Sequence, residues 1–148
     1  MRILHLNLEK GWRGGERQTL FTLQGLRAAG HQVALAARAG GPLAQRAEAA
    51  GIRVFPCSGS LALARLLLAQ RRSHDVIHAQ TAQAMSLLAF LRPVLRAALV
   101  FTRRTAFDAP DRVRRQRWKW GRADALVAIS QAAAAAPRAC GLSAIVIP

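Results

Sequence analysis

The sequence predicts an α/β domain built on a doubly wound parallel sheet of about seven strands, with helices on both faces. Short apolar runs alternate with amphipathic stretches along the whole chain, the pattern of strands joined by helical crossovers. The predicted strands are near-continuous apolar segments, as expected for strands that helices cover on both sides. A length of 148 residues favours one domain.

The first half of the chain contains three predicted strands and two predicted helices. The strands cover residues 2–8, 32–38 and 52–55, and the helices cover residues 18–29 and 42–50. Leucines recur at helical spacing from Leu20 to Leu26, and Gly30 stands where a helix C-terminus favours glycine. Gly51 ends the second helix in the same way, and Pro56 is predicted to end the third strand.

The second half continues the alternation. Its predicted strands cover residues 75–79, 98–102, 124–130 and 144–147, and its predicted helices cover residues 61–72, 81–91, 111–121 and 131–139. Pro93 is predicted to end the helix 81–91, and Ser130 to cap the last helix.

The composition is strongly basic. The chain carries 22 Lys and Arg residues against 7 Asp and Glu residues, a formal net charge of +15. Such a charge favours phosphate groups, nucleic acid or an anionic membrane surface as partner. An arginine- and alanine-rich composition also follows from genome nucleotide bias, so charge alone does not select among these partners.

The cysteine count and the hydropathy pattern narrow the class of protein. Cys57 and Cys140 form no CxxC pair and have no ligand-spaced histidine beside them, which excludes a disulfide framework and a structural zinc site. No apolar run approaches the roughly 18–20 residues of a membrane-spanning helix, and the N-terminus has no secretory signal. We therefore expect a soluble, cytoplasmic protein.

The glycine-rich segment between the first strand and the first helix is the strongest local feature. Glycines let backbone N–H groups approach a ligand, and the N-terminus of a helix adds partial positive charge. The spacing of Gly11, Gly14 and Gly15 differs from the dinucleotide fingerprint G-x-G-x-x-G. The segment therefore predicts either an anion site or only a tight turn.

A second candidate site is formed by His78 and Gln80, which end the fourth predicted strand. Open parallel sheets bind ligands outside the carboxyl ends of the strands where the strand order reverses, a point that the first and fourth strands would flank. A lone histidine is more often structural, but its place at a strand end favours function. His5, in the middle of the first strand, is predicted to pack.

Arg103 follows directly on an apolar strand and is the best single candidate for an anion contact at that edge. Eight basic residues lie between Arg103 and Arg122, together with two aspartates and two tryptophans. No nucleophile motif and no pair of carboxylates on one element is found. Asp75 and Asp124 both precede strands, where such residues usually cap or turn.

Five blocks of sequence occur together in order. They are the opening strand with the turn Gly14-Gly15-Glu16-Arg17-Gln18, and residues 26–33, 41–54, 75–79 and 122–130. In this order and spacing they resemble the opening domain of family-4, GT-B-fold glycosyltransferases. The resemblance implies a Rossmann-like sheet with strand order 3-2-1-4-5-6-7. It also implies that residues 1–148 are one acceptor-binding, N-terminal domain, with the C-terminal, donor-binding domain absent from the chain.

The resemblance also assigns roles to residues. It assigns substrate contacts to Gly14 and Gly15, which would approach the donor phosphates, and to Ser130. The substrate-binding candidates also include Glu16 of the same turn and Arg103, the anion candidate at the end of its strand. His78 and Gln80 match the family's H-x-H positions, which implies a catalytic role, although glutamine here replaces the second histidine.

The function that the resemblance implies is sugar transfer with retention. The donor would be a nucleotide-sugar and the acceptor a saccharide or a lipid-linked glycan of cell-envelope synthesis, such as lipopolysaccharide. Catalysis in such enzymes depends on positioning and on stabilising the leaving diphosphate, with no metal or other cofactor. That agrees with a sequence that shows no strong general base.

The helix predicted at 111–121 suggests a membrane partner. One tryptophan can pack inward while the other lies among bases, an arrangement suited to an anionic membrane surface at the inner leaflet. The residues predicted to face the membrane are Arg112, Arg114, Arg115, Arg117 and Trp118. Each base near such a surface contributes about 1 kcal/mol. The alternative is a solvated basic helix with both indoles buried.

Two other classes of protein stay open. One is a stand-alone nucleotide- or phosphate-binding module, which predicts a complete domain with a paired final helix; the end of the chain directly after a strand favours the two-domain enzyme instead. The other is a nucleic-acid-binding protein, which the charge suggests. We expect no nucleic-acid partner, because no helix-turn-helix, zinc or RNP signature is present.

Overall fold

The strands and helices alternate as the sequence predicts. The structure, a computed structural model, describes residues 1–106 and 113–147. Its strands are β1 Arg2–Asn7, β2 Gln32–Arg38, β3 Arg53–Cys57, β4 Val76–Ala79, β5 Ala98–Arg103, β6 Ala125–Ala128 and β7 Ile145–Val146. Its helices are α1 Gly14–Ala28, α2 Pro42–Ala49, α3 Ser60–Ala69, α4 Ala82–Leu91, α5 Val113–Trp120 and α6 Gln131–Ala139, with a 3₁₀ turn at Arg92–Val94.

The strands within the described residues form one parallel sheet in the order β3-β2-β1-β4-β5-β6-β7. This confirms the Rossmann-like fold and the strand order predicted from the sequence. Because β1 lies between β2 and β4, the strand order reverses beside β1, and the crossovers on either side of this point pack on opposite faces.

Two clusters of buried apolar side chains cover the two faces of the sheet. On one face, Leu23 of α1 packs with Leu35 of β2 in a cluster that includes α2. On the other face, Leu88 of α4 and Trp120 of α5 lie in a cluster with Ile77 of β4. Each fully buried side chain of this size contributes roughly 1.5–3 kcal/mol. This two-sided burial explains why the strands read as continuous apolar runs.

The first helix begins earlier than the sequence predicts. Its first residue is Gly14 instead of residue 18, so Gly14 and Gly15 lie in the first helical turn and not in the preceding loop. The carboxylate of Glu16 accepts a hydrogen bond from the amide of Arg13 at 2.7 Å. This contact satisfies a backbone donor at the helix start and thereby stabilises the extra turn.

The third strand extends beyond its predicted end. It continues through Pro56 to Cys57, where the sequence predicts that the proline ends it. β3 is the edge strand of the sheet, and a residue without an N–H is tolerated there because no further strand needs the donor. The remaining boundaries differ from the prediction by a few residues at the ends.

Helix ends follow the glycine signals in the sequence. Gly30 and Gly51 have φ angles of 86° and 71°, a backbone conformation that favours glycine, and each follows the end of a helix as predicted. None of the helices in residues 1–106 and 113–147 is both long enough and apolar enough to cross a membrane.

Two aspartates hold the N-terminal edge of the sheet. Asp75, just before β4, accepts hydrogen bonds from the Arg2 amide at 2.7 Å and the Arg2 guanidinium at 2.8 Å. Asp124, just before β6, accepts one from the Leu99 amide at 2.7 Å and one from Arg92 at 2.9 Å. Each carboxylate therefore ties a strand to its neighbour, which agrees with the predicted capping role.

Candidate functional site

A groove of about 610 Å³ lies at the opposite, C-terminal edge of the sheet. It is lined by the segment after β1, by the start of α4 and by the end of β5, so it opens where the strand order reverses. Open parallel sheets bind their ligands at this place. The groove therefore lies at the edge where the sequence predicts a ligand site.

Basic side chains dominate the lining of the groove. Its charged lining residues in the described part of the chain are Lys10, Arg13, Arg38, Arg103 and Arg104, with Glu9 and Glu16. Glu16 is buried, and its carboxylate already caps α1 through Arg13. The Nε of Arg38 donates to the carbonyl of Leu8 at 3.2 Å, which holds that side chain beside the end of β1. The groove thus presents a positive potential that suits an anionic ligand.

Gly15 makes room for the side chain of Arg104. A Cβ added at Gly15 would lie 2.9 Å from the Nη1 of Arg104, whereas one added at Gly14 would meet no heavy atom within 4 Å. The same Nη1 donates a hydrogen bond to the carbonyl of Gly15. The missing side chain at position 15 therefore serves an arginine of this chain, in addition to any approach of a ligand to the glycine turn.

Arg104 joins several elements at the inner end of the groove. Its Nη2 donates to Thr19 Oγ1 at 3.0 Å and to Gln80 Oε1. Its Nε is buried and has no hydrogen-bond partner within the described residues. Burial lowers the pKa of Arg104, and the nearby carboxylate of Glu16 opposes that effect. The guanidinium thus carries a partly desolvated positive charge whose hydrogen-bond acceptors are uncharged.

Gln80 connects Arg104 to two histidines. It is 5% exposed, and its Nε2 lies 3.0 Å from His5 Nδ1 and 3.2 Å from His78 Nδ1, while its Oε1 accepts from Arg104. The parallel register places His5 directly beside His78. This orientation of Gln80 assigns the accepting role to both Nδ1 atoms and the hydrogen of each ring to Nε2. On that assignment His78 Nε2, which lies 2.7 Å from Thr102 Oγ1, donates to the hydroxyl.

Both histidines are uncharged at neutral pH. Burial lowers the pKa of His5 to about 3, with a smaller effect from the neighbouring His78 and Arg104. Burial also lowers the pKa of His78 to about 4, with a smaller effect from Arg104. These imidazoles can donate and accept hydrogen bonds near pH 7, but they do not supply an imidazolium.

A second set of hydrogen bonds ties the end of β1 to α1. Asn7 and Thr19 are fully buried, and the Nδ2 of Asn7 donates to Thr19 Oγ1 at 3.0 Å. Thr19 Oγ1 in turn donates to the carbonyl of Gly15 at 2.9 Å, and Asn7 Oδ1 accepts from the Glu9 amide at 3.1 Å. These contacts fix the first turn of α1 against Arg104 and the groove.

Arg103, the predicted anion contact, lies in the groove wall but is strongly engaged. It is buried, its Nε donates to the carbonyl of Thr105 at 2.8 Å, and its guanidinium lies 4.8 Å from the ring centre of Trp120. It therefore packs α5 against the end of β5. The neighbouring Arg104 is the residue that reaches Gln80.

The other predicted site residues divide into two groups. Gly15, Glu16 and Gln80 line the groove together, and His78 borders an adjoining depression with Thr102. Gly14 borders a second depression with Gly15 and Arg104, and Ser130 caps α6 by accepting from the Ala133 amide at 3.1 Å. The cap is confirmed, while roles of Gly14 and Ser130 in substrate binding stay predictions.

The basic helix α5 separates its two tryptophans. Trp120 is 5% exposed and lies in the core, whereas Trp118 is 40% exposed, with its ring centre 5.1 Å from that of Phe90 and 5.4 Å from the guanidinium of Arg122. This confirms that one indole packs inward and the other lies among bases. Arg114 and Arg117 border the same surface with Trp118, Arg115 is exposed on α5, and Arg112 lies outside the described residues.

Sequence reasoning missed Arg104, His5, Asn7 and Thr19 as parts of the site. A pair of adjacent arginines after β5 was a signal, but the sequence does not show which of them turns inward. His5 becomes informative only through the register that places it beside His78. Within residues 1–106 and 113–147, no three His, Cys, Asp or Glu side chains gather closely enough to hold a metal ion.

Comparisons with known proteins agree with this geometry. The sequence profile of Glycosyltransferase Family 4 matches residues 12–148. A comparison with curated proteins finds no match.

Solved structures show the same fold. Alr3699/HepE from Anabaena, in complex with UDP-glucose, superimposes with a TM-score of 0.80 at 21% identity, over 99% of this chain and 43% of that one. A glycosyltransferase from Rickettsia africae gives a TM-score of 0.73 at 17% identity, over 99% and 42%. The lipopolysaccharide outer core galactosyltransferase WaaB gives 0.70 at 14% identity, over 97% and 43%.

The chain thus spans less than half the length of each of these solved proteins. Because the family match covers nearly all of its residues, and because the sheet order and the groove agree with it, the chain belongs to Glycosyltransferase Family 4.

Proposed function

We propose that the chain is the acceptor-side half of a two-domain glycosyltransferase that transfers a sugar from a nucleotide-sugar donor. The single observation that carries this proposal is the basic groove at the reversal of strand order, in a domain that belongs to this family. The solved relatives support the donor class, since HepE is described in complex with UDP-glucose.

A further, C-terminal domain would complete the cleft and hold the donor. The length of the relatives supports it, because this chain covers only 43% of HepE. The surface supports it too: Phe21, Ile145 and Ile147 are each more than half exposed. Phe21 and Ile147 border two depressions that Ile129 also lines, and exposed apolar side chains near one another favour a surface that another domain covers.

In the proposed reaction, the residues of this chain bind and orient. His78 and Gln80 keep the predicted catalytic place, but as neutral hydrogen-bonding groups, because burial and Arg104 keep His78 uncharged. Stabilising a leaving diphosphate needs fixed positive charge and donors and not a strong base. We therefore propose transfer with retention and without a metal or other cofactor.

The acceptor is proposed to be a saccharide or a lipid-linked glycan of the cell envelope, reached from the cytoplasmic side. The basic groove suits such acceptors when they carry phosphate or carboxylate groups. The likeness of the fold to WaaB, described as a lipopolysaccharide outer core galactosyltransferase, supports a role of this kind.

The test is an assay of the protein encoded by the full-length gene. Release of the nucleoside diphosphate from UDP-glucose and from other nucleotide-sugars is measured with purified lipid-linked and lipopolysaccharide-core acceptors. The 148-residue chain is assayed in parallel. We expect acceptor-dependent transfer by the full-length protein and none by the chain alone, because half of the cleft is absent and the donor loses most of its contacts. Turnover at ordinary rates by the chain alone contradicts the domain division. Lack of transfer with any donor by the full-length protein contradicts the function.

We propose a second interaction, with an anionic membrane surface, through the exposed part of α5. Phe90 and Trp118 are 70% and 40% exposed and in contact, with Arg114, Arg117 and Arg122 around them. Aromatic rings among bases suit the boundary between lipid headgroups and acyl chains. The patch would hold the enzyme at the inner leaflet, near a lipid-linked acceptor.

Vesicle co-sedimentation tests the membrane proposal. The chain is expected to bind vesicles with 30% anionic lipid and not neutral vesicles. Changing Arg114, Arg115 and Arg117 to Gln should weaken binding about tenfold or more, since each base contributes about 1 kcal/mol. The matched control changes Arg65, Arg71 and Arg72 to Gln, which removes the same charge beyond the patch. Equal loss in both variants, or no binding at low salt, contradicts the proposal.

A further inference from the structure

The positive charge of Arg104 is held in place without being neutralised. Its hydrogen bonds go to the carbonyl of Gly15, the hydroxyl of Thr19 and the amide oxygen of Gln80. The ion pairs within the described residues are Arg2–Asp75 and Arg92–Asp124, so no carboxylate pairs with Arg104 there. A partly buried guanidinium with only neutral acceptors costs free energy in the absence of an anion.

The orientation of Gln80 directs its carbonyl oxygen at Arg104. Its Nε2 lies within hydrogen-bond distance of Nδ1 of both His5 and His78. A flipped amide would place its NH₂ against the guanidinium, so that two donors face each other, which is unfavourable. Arg104 therefore selects the orientation in which Oε1 accepts from it, and Gln80 in turn holds the guanidinium at the inner end of the groove.

The rest of the groove continues the positive charge. Lys10 and Arg13 are exposed on the segment after β1, and Arg38 ends β2 at the groove. Polar side chains at the start of α4, those of Thr81 and Gln83, line the same groove. A sugar ring with hydroxyl groups and one anionic substituent fits this combination of polar and basic groups.

We propose that the groove binds an acceptor that carries a phosphate or carboxylate group, and that Arg104, positioned by Gln80, contacts this group. The proposal rests on the proposed function, because it names the chemical class of the acceptor for the same enzyme. Three hydrogens of the guanidinium fork already go to Gly15, Thr19 and Gln80, and the Nε is buried, so the remaining Nη1 hydrogen makes the contact. A hydrogen bond between charged groups is about twice as strong as a neutral one.

The experiment measures binding of named probes to the 148-residue chain by NMR titration of backbone amides and arginine Nε–H groups at 150 mM salt. The probes are glucose 6-phosphate, glucuronate, glucose and inorganic pyrophosphate. We expect the two sugar anions to bind at least tenfold more tightly than glucose and to shift the signals of Gly11, Gln83 and the Nε–H of Arg104.

The variants test the role of Arg104. Arg104→Gln should weaken binding of glucose 6-phosphate about tenfold or more, and Arg104→Lys by a smaller factor, because it keeps the charge and loses the fork. The matched control is Arg65→Gln, which removes the same charge from the exposed face of α3 and should change the affinity less than twofold. Equal affinities in Arg104→Gln and Arg65→Gln, or equal binding of glucose and glucose 6-phosphate, overturn the proposal.

The pyrophosphate arm separates the acceptor from the donor. If pyrophosphate binds tenfold more tightly than both sugar anions and loses its affinity in Arg104→Gln, the arginine serves a donor diphosphate and the acceptor assignment is wrong.

Gln80→Glu tests the positioning role. The new carboxylate would pair with Arg104 and neutralise it, so we expect about a tenfold loss of affinity for glucose 6-phosphate in a folded protein. A merely structural Gln80 would leave the affinity of the folded variant unchanged, which overturns its part of the proposal. If Gln80→Glu does not fold, the affinity of Gln80→Asn for glucose 6-phosphate is measured instead. This variant keeps an uncharged amide but reaches less far towards Arg104, so we expect a loss of affinity here too.

The outcome is independent of the transfer assay. A full-length enzyme that transfers sugar only to neutral acceptors overturns this inference and leaves the proposed function intact. If the chain binds the sugar anions but the full-length protein transfers no sugar, the proposed function is contradicted and the anion site remains.

Discussion

The arginines at the two edges of the sheet differ in the acceptors that they bind. At the N-terminal edge, Arg2 and Arg92 each pair with an aspartate, and the same aspartates accept hydrogen bonds from strand amides. At the C-terminal edge, the acceptors of Arg104 within the described residues are all uncharged, although Arg104 is more deeply buried than Arg2. The two arginines at the N-terminal edge are thus neutralised by carboxylates. Arg104 at the C-terminal edge keeps a positive charge that no carboxylate of the described residues pairs with.

This difference indicates that the charges at the N-terminal edge stabilise the fold, whereas Arg104 at the C-terminal edge is suited to bind an anion. A carboxylate that accepts from a strand amide and an arginine stabilises the native state without need of a ligand. A cation left with neutral acceptors contributes less to stability, and it is available to an anion. The edge that holds the groove is therefore the edge at which the charge of Arg104 has no carboxylate paired with it among the described residues.

The largest effect is expected from closing the space over Gly15. In the full-length enzyme, Gly15→Val should lower turnover about 100-fold, equivalent to about 2.7 kcal/mol, because the new side chain displaces the end of Arg104 from Gly15 and Gln80. The atom displaced is the tip of a long side chain, so circular dichroism should show a folded domain.

Gly25→Ala, on the same helix but in open space, is the matched control. It should keep the activity and stabilise α1 by about 0.5–1 kcal/mol. Wild-type turnover in a folded Gly15→Val protein would show that the position of Arg104 does not matter for the reaction.

An intermediate effect is expected from opening the N-terminal edge. Asp124→Ala should lower the free energy of unfolding by about 1–3 kcal/mol, because the Leu99 amide and Arg92 lose their common acceptor. Urea unfolding measures this change, and affinity for glucose 6-phosphate should stay within twofold. Glu48→Ala, on the exposed face of α2, should change the stability by less than about 0.5 kcal/mol. Equal stability of the two variants would mean that the carboxylate of Asp124 does not hold the edge.

The last effect concerns pH, and it should occur in a different range at each edge. The pKa values of His5 and His78 fall from 6.5 to about 3 and about 4, so the unfolded chain binds more protons below pH 6.5. The contribution of these two histidines to the free energy of unfolding is therefore lost as the pH falls from 6.5 towards 4. The pKa of Asp75 falls from 3.8 to about 2 through its hydrogen bonds with Arg2, so its contribution is lost only as the pH falls from about 4 towards 2.

Unfolding free energies of single variants separate the two ranges. His78→Asn should reduce the slope of stability against pH between 6.5 and 4, and Asp75→Asn only below about 4. A histidine variant with the wild-type slope over the upper range would show that His78 is not held neutral by the fold.

Local sequence signals predicted most of the fold. Gly30 and Gly51 end helices, Ser130 caps α6, and the apolar runs form the strands. These features depend on backbone conformation and on side chains close in sequence, so a local pattern carries them. The predicted start of α1 at residue 18 was wrong, since the helix begins at Gly14. The hydrogen bond between Glu16 and the Arg13 amide outweighs the low helix propensity of the two glycines.

The sequence by itself determined the alternation of elements, the edge at which the groove lies and the excess of arginine there. The tertiary structure alone decided that Arg104, and not Arg103, reaches Gln80, and that His5 lies beside His78. Strand register and the packing of α5 on Arg103 are contacts between residues far apart in the chain. Because desolvation arises only once those contacts form, the neutral histidines and the unneutralised guanidinium exist in the folded domain and not in any local segment.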